Sequence, residues 1–136
     1  MFDCIEGDAA RMPVPGASFD LACIGFGLRN VVEWRQALSE MARAVRPGGL
    51  VVVLEFSTPP RGPIRRLYLS YFLRLLPRIG NRLSRSQAYR YLPESVMAWP
   101  EPQALSSAME QAGLMSVVCR RLTFGIACLH IGRRGA

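Results

Sequence analysis

Two short apolar runs separated by one amphipathic segment constrain this chain more than any other feature. They are Phe19 to Phe26 (FDLACIGF) and Leu50 to Phe56 (LVVVLEF), and glycines stand at the end of the first and just before the second. Continuous apolar runs of this length are typical of strands in a parallel sheet that is covered on both faces. The sequence therefore predicts an α/β fold in which both runs are fully buried strands.

The segment between the two runs has the period of a helix. Its apolar residues recur at three- and four-residue spacing, with charged and polar residues on the opposite side. The apolar set is Trp34, Ala37, Leu38, Met41, Ala42 and Val45. Pro47-Gly48-Gly49 is expected to end this helix, and a strand, a helix and a strand in this order predict a right-handed crossover.

The two ends of the chain add three further elements. Phe2 to Ile5 is a short β-prone run, so we expect the chain to open on a strand. Pro102 to Ala112 is expected to form a helix with Gly113 as its C-terminal cap. Val117 to Leu122 and Ile126 to Ile131 are expected to form a closing hairpin.

The formal net charge of +7 favours anionic partners, and much of it lies between Arg61 and Arg85. Apolar residues from Ile64 to Leu76 form a helical stripe there, with arginines beside it. Core packing is the commonest use of such a stripe, and an anionic membrane surface is the second. A nucleic-acid partner is not expected, because no aromatic and basic platform accompanies the charge. The longest apolar stretch, Leu67 to Leu76, is too short to cross a membrane.

The four cysteines, Cys4, Cys23, Cys119 and Cys128, lie far apart and form no paired motif with each other or with histidine. Neither a metal site nor a disulfide framework is therefore expected, and the cysteines are interpreted as small buried hydrophobic residues in a reducing compartment. The first residues include acids and lack the basic and apolar regions of a signal peptide. These features favour a cytoplasmic protein.

Three stretches together resemble the ubiquinone/menaquinone biosynthesis C-methyltransferase family, the UbiE type. They are GDAARMP at positions 7–13, FGLRNV at 26–31 and RAVRPGGLVVVLEFS at 43–57. The resemblance continues through LPRIGN at 76–81, AYRYLPESV at 88–96 and LTFGIACLHIG at 122–132. It covers almost the whole chain, and FGLRN followed by LEFS and by Y-R-Y-L-x-E-S is its most specific part.

The resemblance implies a class I S-adenosylmethionine-dependent methyltransferase (Rossmann-like) fold, with a sheet in the order 3-2-1-4-5-7-6. Residues 1–136 would form a single partial methyltransferase domain from strand 3 onward, N-terminally truncated and lacking strands 1 and 2. Strand 4, which is the first apolar run, would then become an exposed edge that invites pairing. A homo-oligomer or a complementing N-terminal half would be the corresponding partner.

The resemblance also implies S-adenosyl-L-methionine as methyl donor, contacted by Asp8, Ala9 and Gly25. Asp8 would accept a hydrogen bond from the adenine amino group, with Ala9 against the ring. An ordinary Asx-turn is the alternative for Asp8, and the residues alone favour neither. At Gly25, where the family usually has serine, only a main-chain contact would remain.

The substrate that the resemblance implies is a prenylated quinol, either demethylmenaquinol or a polyprenyl benzoquinol. Arg29 would stabilise the phenolate that develops during C-methylation, and Asn30 would orient it or a water. The alternative is that Arg29 binds loop carbonyls and Asn30 caps the helix that begins near Trp34. Tyr91 is expected to line the quinone pocket, whereas His130 is interpreted as a structural residue. A non-catalytic remnant or partner subunit, and a different small acceptor, are the other hypotheses.

Overall fold

A computed structural model of the protein describes residues 3–71 and 95–136. The strands in these ranges are β1 (Phe19–Gly25), β2 (Val45–Phe56), β3 (Leu114–Leu122) and β4 (Ala127–Arg134). The α-helices are α1 (Trp34–Ala44), α2 (Pro63–Ser70) and α3 (Pro102–Gln111), and short 3₁₀ helices span Leu28–Asn30 and Thr123–Gly125.

The strands form one sheet in the order β1-β2-β4-β3. β1 runs parallel to β2, while β4 is antiparallel to both β2 and β3. This is the 4-5-7-6 part of the sheet that the family resemblance implied, and the predicted closing hairpin is confirmed as β3 and β4. The predicted opening strand is wrong for residues 3–5, which have no strand beside them in the described chain and form none themselves.

Helix α1 confirms the amphipathic pattern. Ala37, Leu38 and Met41 are buried, whereas Arg35 is exposed. The helix ends at Ala44 and β2 begins at once, earlier than the predicted Leu50.

The Pro-Gly-Gly segment therefore lies inside β2, where it makes an irregularity in the pairing with β1. The register passes from Phe19 opposite Val45 to Leu21 opposite Leu50. A Cβ on Gly49 would come within 2.9 Å of the carbonyl oxygens of Arg46 and Asp20, so only glycine fits this close approach of two strands.

The main core lies on the face of β2 that Val51 and Val53 present. Both valines are fully buried, and side chains of α1 and α3 complete the same cluster, among them Leu38 and Met109. Helix α3 begins at Pro102 as predicted, and Gly113 follows it with a φ of +89°, the left-handed conformation expected of a C-terminal glycine. Apolar burial from three elements therefore holds this side of the sheet together.

β1 is an edge strand of the described sheet, and its burial differs from the prediction. Phe19 is 43% exposed and Leu21 is 50% exposed. The expectation of a fully buried strand is wrong here, because β1 has β2 on one side and no described strand on the other. The exposed apolar edge that the resemblance implied is confirmed. Three of the four cysteines, Cys4, Cys23 and Cys119, are also exposed, and their interpretation as buried residues holds only for Cys128.

Helix α2 presents much of its apolar stripe to solvent. Ile64 is 46% exposed and Leu67 is 73% exposed, whereas Tyr68 is buried. Core packing therefore accounts for Tyr68 and leaves the other two side chains unexplained. The rest of the predicted stripe from Phe72 onward lies outside the described residues. Within the described ranges, no helix is long and apolar enough to cross a membrane.

Candidate functional site

The carboxyl ends of the parallel strands β1 and β2 lie side by side, at the edge of the sheet where open α/β folds have their crevice. Gly25 lies opposite Leu54, and the Phe26 amide donates to the Leu54 carbonyl at 2.8 Å, one residue beyond the end of β1. Phe26 then has a φ of +54°, a conformation that is uncommon outside glycine, and the chain turns into the 3₁₀ helix. Leu28 is fully buried and anchors that turn. Open α/β sheets place their ligands at this edge.

Arg29 is held at the crevice by a buried ion pair with Glu55. Its Nη1 atom lies 3.0 Å from Glu55 Oε2, and the two side chains are 9% and 1% exposed. The Arg29 amide donates to Oε1 at 3.3 Å, and the Phe56 amide donates to Oε2 at 3.1 Å. Glu55 thus joins the end of β2 to the turn after β1. Removing either charge would leave the other buried and unpaired.

Two aromatic rings form a wall beside this pair. The centroids of Phe26 and Phe56 are 4.6 Å apart, and the Arg29 guanidinium lies 5.3 Å from the Phe56 centroid. The Nε–H of Arg29 is buried and has no acceptor among the described residues. A buried donor without an acceptor is uncommon in folded proteins, so the Arg29 Nε–H marks this turn as a candidate for a functional contact.

The predicted alternatives for Arg29 and Asn30 are resolved only in part. Arg29 Nη1 does donate to a loop carbonyl, that of Phe26, but its ion pair with Glu55 was not expected. The signal in the sequence was an acid inside the apolar run LVVVLEF, since a buried acid requires a partner. Asn30 does not occupy the N-cap of α1, because Glu33 is at that position. The Asn30 amide donates to the Gly27 carbonyl at 3.0 Å within the 3₁₀ turn, and Asn30 is exposed.

Asp8 forms the Asx-turn that was the alternative to adenine binding. Its Oδ1 accepts from the Ala10 amide at 2.9 Å, and its carbonyl accepts from the Arg11 amide at 3.0 Å. Ala9 is half-buried and packs against the core. The turn occupies one carboxylate oxygen of an exposed side chain, so the geometry is compatible with a second acceptor role for Asp8.

The loop that carries Asp8 and Ala9 is fastened to helix α1. Glu40 accepts from the Met12 amide at 3.0 Å, and Arg43 donates to the carbonyls of Met12 and Val14. The hydrogen bond from Arg43 is the main reason that the pKa of Glu40 lies below its ordinary value, and the same bond raises the pKa of Arg43. Helix α1 therefore positions the loop through charge-assisted hydrogen bonds.

Gly25 leaves open space at the end of β1, since a Cβ there would meet nothing within 4 Å. Nearby, Ala9 lines an apolar cavity of about 280 Å³ between the loop, β1 and α1, together with Ala22, Ile24 and Met41. The space is compatible with close approach of a ligand to the main chain of Gly25. Within the described ranges, no hydrogen bond or ion pair joins the group at Asp8 to the group at Arg29.

The position of His130 is compatible with the structural role expected for it. It is 1% exposed, and its Nε2 lies 3.0 Å from the Pro102 carbonyl at the start of α3. Burial lowers its pKa below 6.5, so the neutral form is favoured. Tyr91 lies outside the described residues. In the part of the chain that the structure describes, no three His, Cys, Asp or Glu side chains come together as metal ligands.

The sequence and the fold are similar to those of known methyltransferases. A demethylmenaquinone methyltransferase from Thermus thermophilus is 47% identical over 96% of this chain and 59% of its own length. The ubiquinone/menaquinone biosynthesis C-methyltransferase UbiE of Geobacter sulfurreducens is 45% identical over 91% of this chain and 48% of its own length. The chain thus spans about half to three fifths of the length of these relatives.

A solved structure supports the same fold. A SAM-dependent methyltransferase from Thermotoga maritima, described as a possible histamine N-methyltransferase, superposes with a TM-score of 0.63 at 17% identity, over 96% of this chain and 63% of that one. At such low identity the likeness bears on the fold alone, which is that of a class I methyltransferase, and the described residues form four strands of such a sheet. The model of the ubiE/COQ5 methyltransferase family matches residues 1–134. The chain therefore belongs to the ubiE/COQ5 methyltransferase family.

Proposed function

We propose that this chain is the acceptor-side part of an enzyme that transfers a methyl group from S-adenosyl-L-methionine to a ring carbon of a prenylated quinol. The observation that carries the proposal is the family match over residues 1–134, which includes both strand ends of the crevice. Relatives at 45% to 47% identity are named for demethylmenaquinone and for ubiquinone/menaquinone methylation. The substrate is accordingly a demethylmenaquinol or a polyprenyl benzoquinol.

When bound, S-adenosyl-L-methionine supplies an electrophilic methyl group on its sulfonium. On the protein side, Asp8 would accept a hydrogen bond from the adenine amine through the carboxylate oxygen outside its Asx-turn. Ala9 would lie against the ring, and the open space at Gly25 would allow the donor to approach the main chain. These three residues form one wall of the site.

Arg29 and Asn30 form the acceptor wall in this proposal. Loss of the quinol hydroxyl proton to solvent water would make the neighbouring ring carbon more nucleophilic, and the Nε–H of Arg29, which has no acceptor among the described residues, would donate to the phenolate oxygen and stabilise its charge. Because Glu55 fixes the guanidinium beforehand, little reorganisation is needed when charge develops. Asn30 would orient the quinol or a water, and Tyr91 as a wall of the quinone pocket stays a prediction.

Binding of the methyl donor is the first test. Calorimetric titration of the 136-residue chain with S-adenosyl-L-methionine should give saturable binding, and Asp8→Asn and Gly25→Val should weaken it. Asp20→Asn is the matched control, because Asp20 is an exposed acid at the other end of β1, where it pairs with Arg46. No binding to the folded chain, or equal losses in all three variants, would contradict the assignment of this wall.

Methyl transfer is the second test. Activity should be found on demethylmenaquinol or on a demethylated benzoquinol, and Arg29→Lys should lower kcat more than it raises KM, since a transition-state contact is changed. Arg35→Lys, on the exposed face of α1, should leave both constants unchanged. An Arg29→Lys variant with normal kcat would remove Arg29 from the reaction.

We further propose that the rest of the family's polypeptide, either on the same chain or as a separate half, covers β1. Three observations support a covering polypeptide. β1 is exposed, an apolar cavity lies beside it, and about two fifths of the Thermus relative has no counterpart in this chain. The corresponding segment of that relative, added as a separate polypeptide, should form a one-to-one complex in sedimentation experiments. A self-associated chain that does not take up the segment would favour a homo-oligomer instead.

We also propose that the protein works in the cytoplasm, at the inner face of the membrane. Ile64 and Leu67 are exposed on α2 with Arg61, Arg65 and Arg66 around them, which suits an interface of apolar tails and anionic headgroups. Leu67→Ser should reduce co-sedimentation with anionic vesicles. Met115→Ser, which also changes an exposed apolar side chain, should have no effect.

A further inference from the structure

A second cavity, of about 400 Å³, opens beyond the carboxyl end of β2, and neither Arg29 nor Glu55 lines it. It lies between the segment after β2, the start of α2, the start of α3 and the end of β3. The polar and charged residues of its wall are Ser57, Thr58, Arg61, Arg65, Glu101 and Arg121. These residues indicate a second ligand site. None of the residues assigned to the methyl donor or to the quinol belongs to it.

The wall carries an excess of positive charge. Three arginines face one acid, and the ion pairs among described residues join other partners, namely Arg29 with Glu55, Arg43 with Glu40 and Arg46 with Asp20. Within the described ranges, Arg61, Arg65 and Arg121 thus have no carboxylate within salt-bridge distance. Unpaired arginines around a concave surface raise the local concentration of anions.

Arg121 is placed against the loop after β2. Its Nη1 lies 3.5 Å from the position that a Cβ on Gly125 would take, and that position is also 3.0 Å from Pro60 Cδ. Beneath the wall is His130, whose pKa is lowered by burial first and also by the positive charge of Arg121. The lowered pKa favours the neutral form of His130 beside this wall.

A buried hydroxyl supplies an independent indication. Ser57 is 5% exposed, belongs to the wall, and has no hydrogen-bond partner for its Oγ in the described chain. Buried hydroxyls are almost always paired, so this donor is explained if an acceptor occupies the cavity.

Two helices also begin at this cavity. Gly62 and Glu101 are the N-cap residues of α2 and α3, and neither supplies a side-chain cap. The first turns also lack acidic residues. Pro63 and Pro102 begin the two helices and have no N–H, and the Arg66 and Ala104 amides donate to the N-cap carbonyls. The main-chain amides that remain for an anion are those of Ile64, Arg65 and Gln103, and the helix dipoles favour negative charge there.

We propose that this cavity binds a phosphate group. Planar guanidinium groups suit the tetrahedral oxygens of phosphate through paired hydrogen bonds, and the Ser57 hydroxyl and the helix amides add further donors. The phosphate could belong to a phospholipid headgroup, since the exposed residues of α2 adjoin the cavity, or to a free phosphate ester. This site does not depend on methyl transfer, so its failure would leave the proposed function intact.

Calorimetric titration of the full 136-residue chain with inorganic phosphate in chloride buffer tests the site. Arg121→Gln and Arg65→Gln should each weaken binding roughly tenfold or more, because each removes charge-assisted hydrogen bonds. Arg120→Gln is the matched control: it is the neighbouring residue on β3, it makes the same change of charge, and it is exposed outside the cavity wall. Circular dichroism establishes that each variant is folded, and Ser57→Ala gives a second probe without a change of charge.

Vesicles identify the source of the phosphate. Co-sedimentation with phosphatidylcholine vesicles that contain phosphatidic acid, with inorganic phosphate as competitor, would assign the site to a lipid headgroup. Phosphate binding without recruitment to these vesicles would assign it to a soluble phosphate. Equal losses in Arg120→Gln and Arg121→Gln would overturn the proposal, as would the absence of phosphate binding in the folded chain.

Discussion

β1 and β2 are neighbours in one sheet, run in the same direction and both contain an apolar run, yet only β2 is buried on both sides by described elements. Val51 and Val53 of β2 are fully buried, while Leu21 of β1 is half exposed. β2 lies between two strands and beneath two helices, and β1 has one described strand beside it. The difference shows that the burial of a strand is decided by what lies around it, and only weakly by its own residues.

The carboxyl ends of the two strands differ in the same way. Glu55, one residue before the end of β2, is buried and paired, whereas β1 ends with Gly25, where a side chain would meet open space. One strand end therefore holds the site rigid, and the other leaves room for a ligand. This contrast can be tested by substitution, beginning with the largest expected effect.

Glu55→Ala should cost about 3–5 kcal/mol of folding free energy, because it leaves the Arg29 charge buried without a partner. Urea unfolding measures the change. The double variant Glu55→Leu with Arg29→Met removes both charges and should recover much of the loss. If the single variant is as stable as the parent, the ion pair does not hold the end of β2.

Val53→Ala should destabilise the fold by about 2 kcal/mol through lost burial and a cavity, and Leu21→Ala by no more than about 0.5 kcal/mol. The same unfolding experiment compares the two strands directly. A Leu21→Ala loss equal to that of Val53→Ala would mean that β1 is covered in solution, by a second copy or another polypeptide.

The burial of His130 should make the free energy of unfolding depend on pH. The pKa of His130 is lower in the fold than in the unfolded chain, so the unfolded chain binds more protons between the two values. Stability should be complete above pH 6.5 and should fall as the pH drops through the lowered pKa. Urea unfolding at about pH 7.5 and about pH 5.5 measures this loss. His130 is the single histidine of the chain, and the His130→Gln variant should lack this component of the pH dependence.

On the open side, the smallest effect is expected at the loop before β1. Glu40→Gln should weaken the attachment of the Met12 amide and speed its hydrogen exchange, with little change in global stability. Glu33→Gln, a change of the same kind at an exposed residue, is the control. Unchanged exchange at Met12 would mean that the Arg43 bonds alone fasten the loop.

Much of the architecture followed from local pattern. The period of α1, the glycine after α3 and the closing hairpin were all predicted, because each depends on residues close together in the chain. The family resemblance supplied the sheet order. Burial of β1 was predicted wrongly from its apolar run, since no local pattern reports whether a neighbouring strand is present.

The site was predicted less completely. Arg29 and Gly25 were identified through the resemblance, but the partnership of Arg29 with Glu55 joins residues 26 positions apart and depends on the parallel pairing of β1 and β2. The Asx-turn at Asp8 was one of two alternatives that the sequence left open. A contact between two strands can be predicted only if their pairing register is known, and the local sequence pattern did not give the register.

Cys23 lies in the middle of β1 and is exposed, which gives the open edge a chemical label of its own. A thiol reacts with a maleimide at a rate that depends on its accessibility. Whatever comes to rest on this strand should slow that reaction, while the exposed Cys119 on β3 provides an internal reference and the buried Cys128 reports unfolding. The rate at which the Cys23 sulfur is modified, read separately from the rates at the exposed Cys4 and Cys119, therefore measures in the native chain how much of the time β1 is covered.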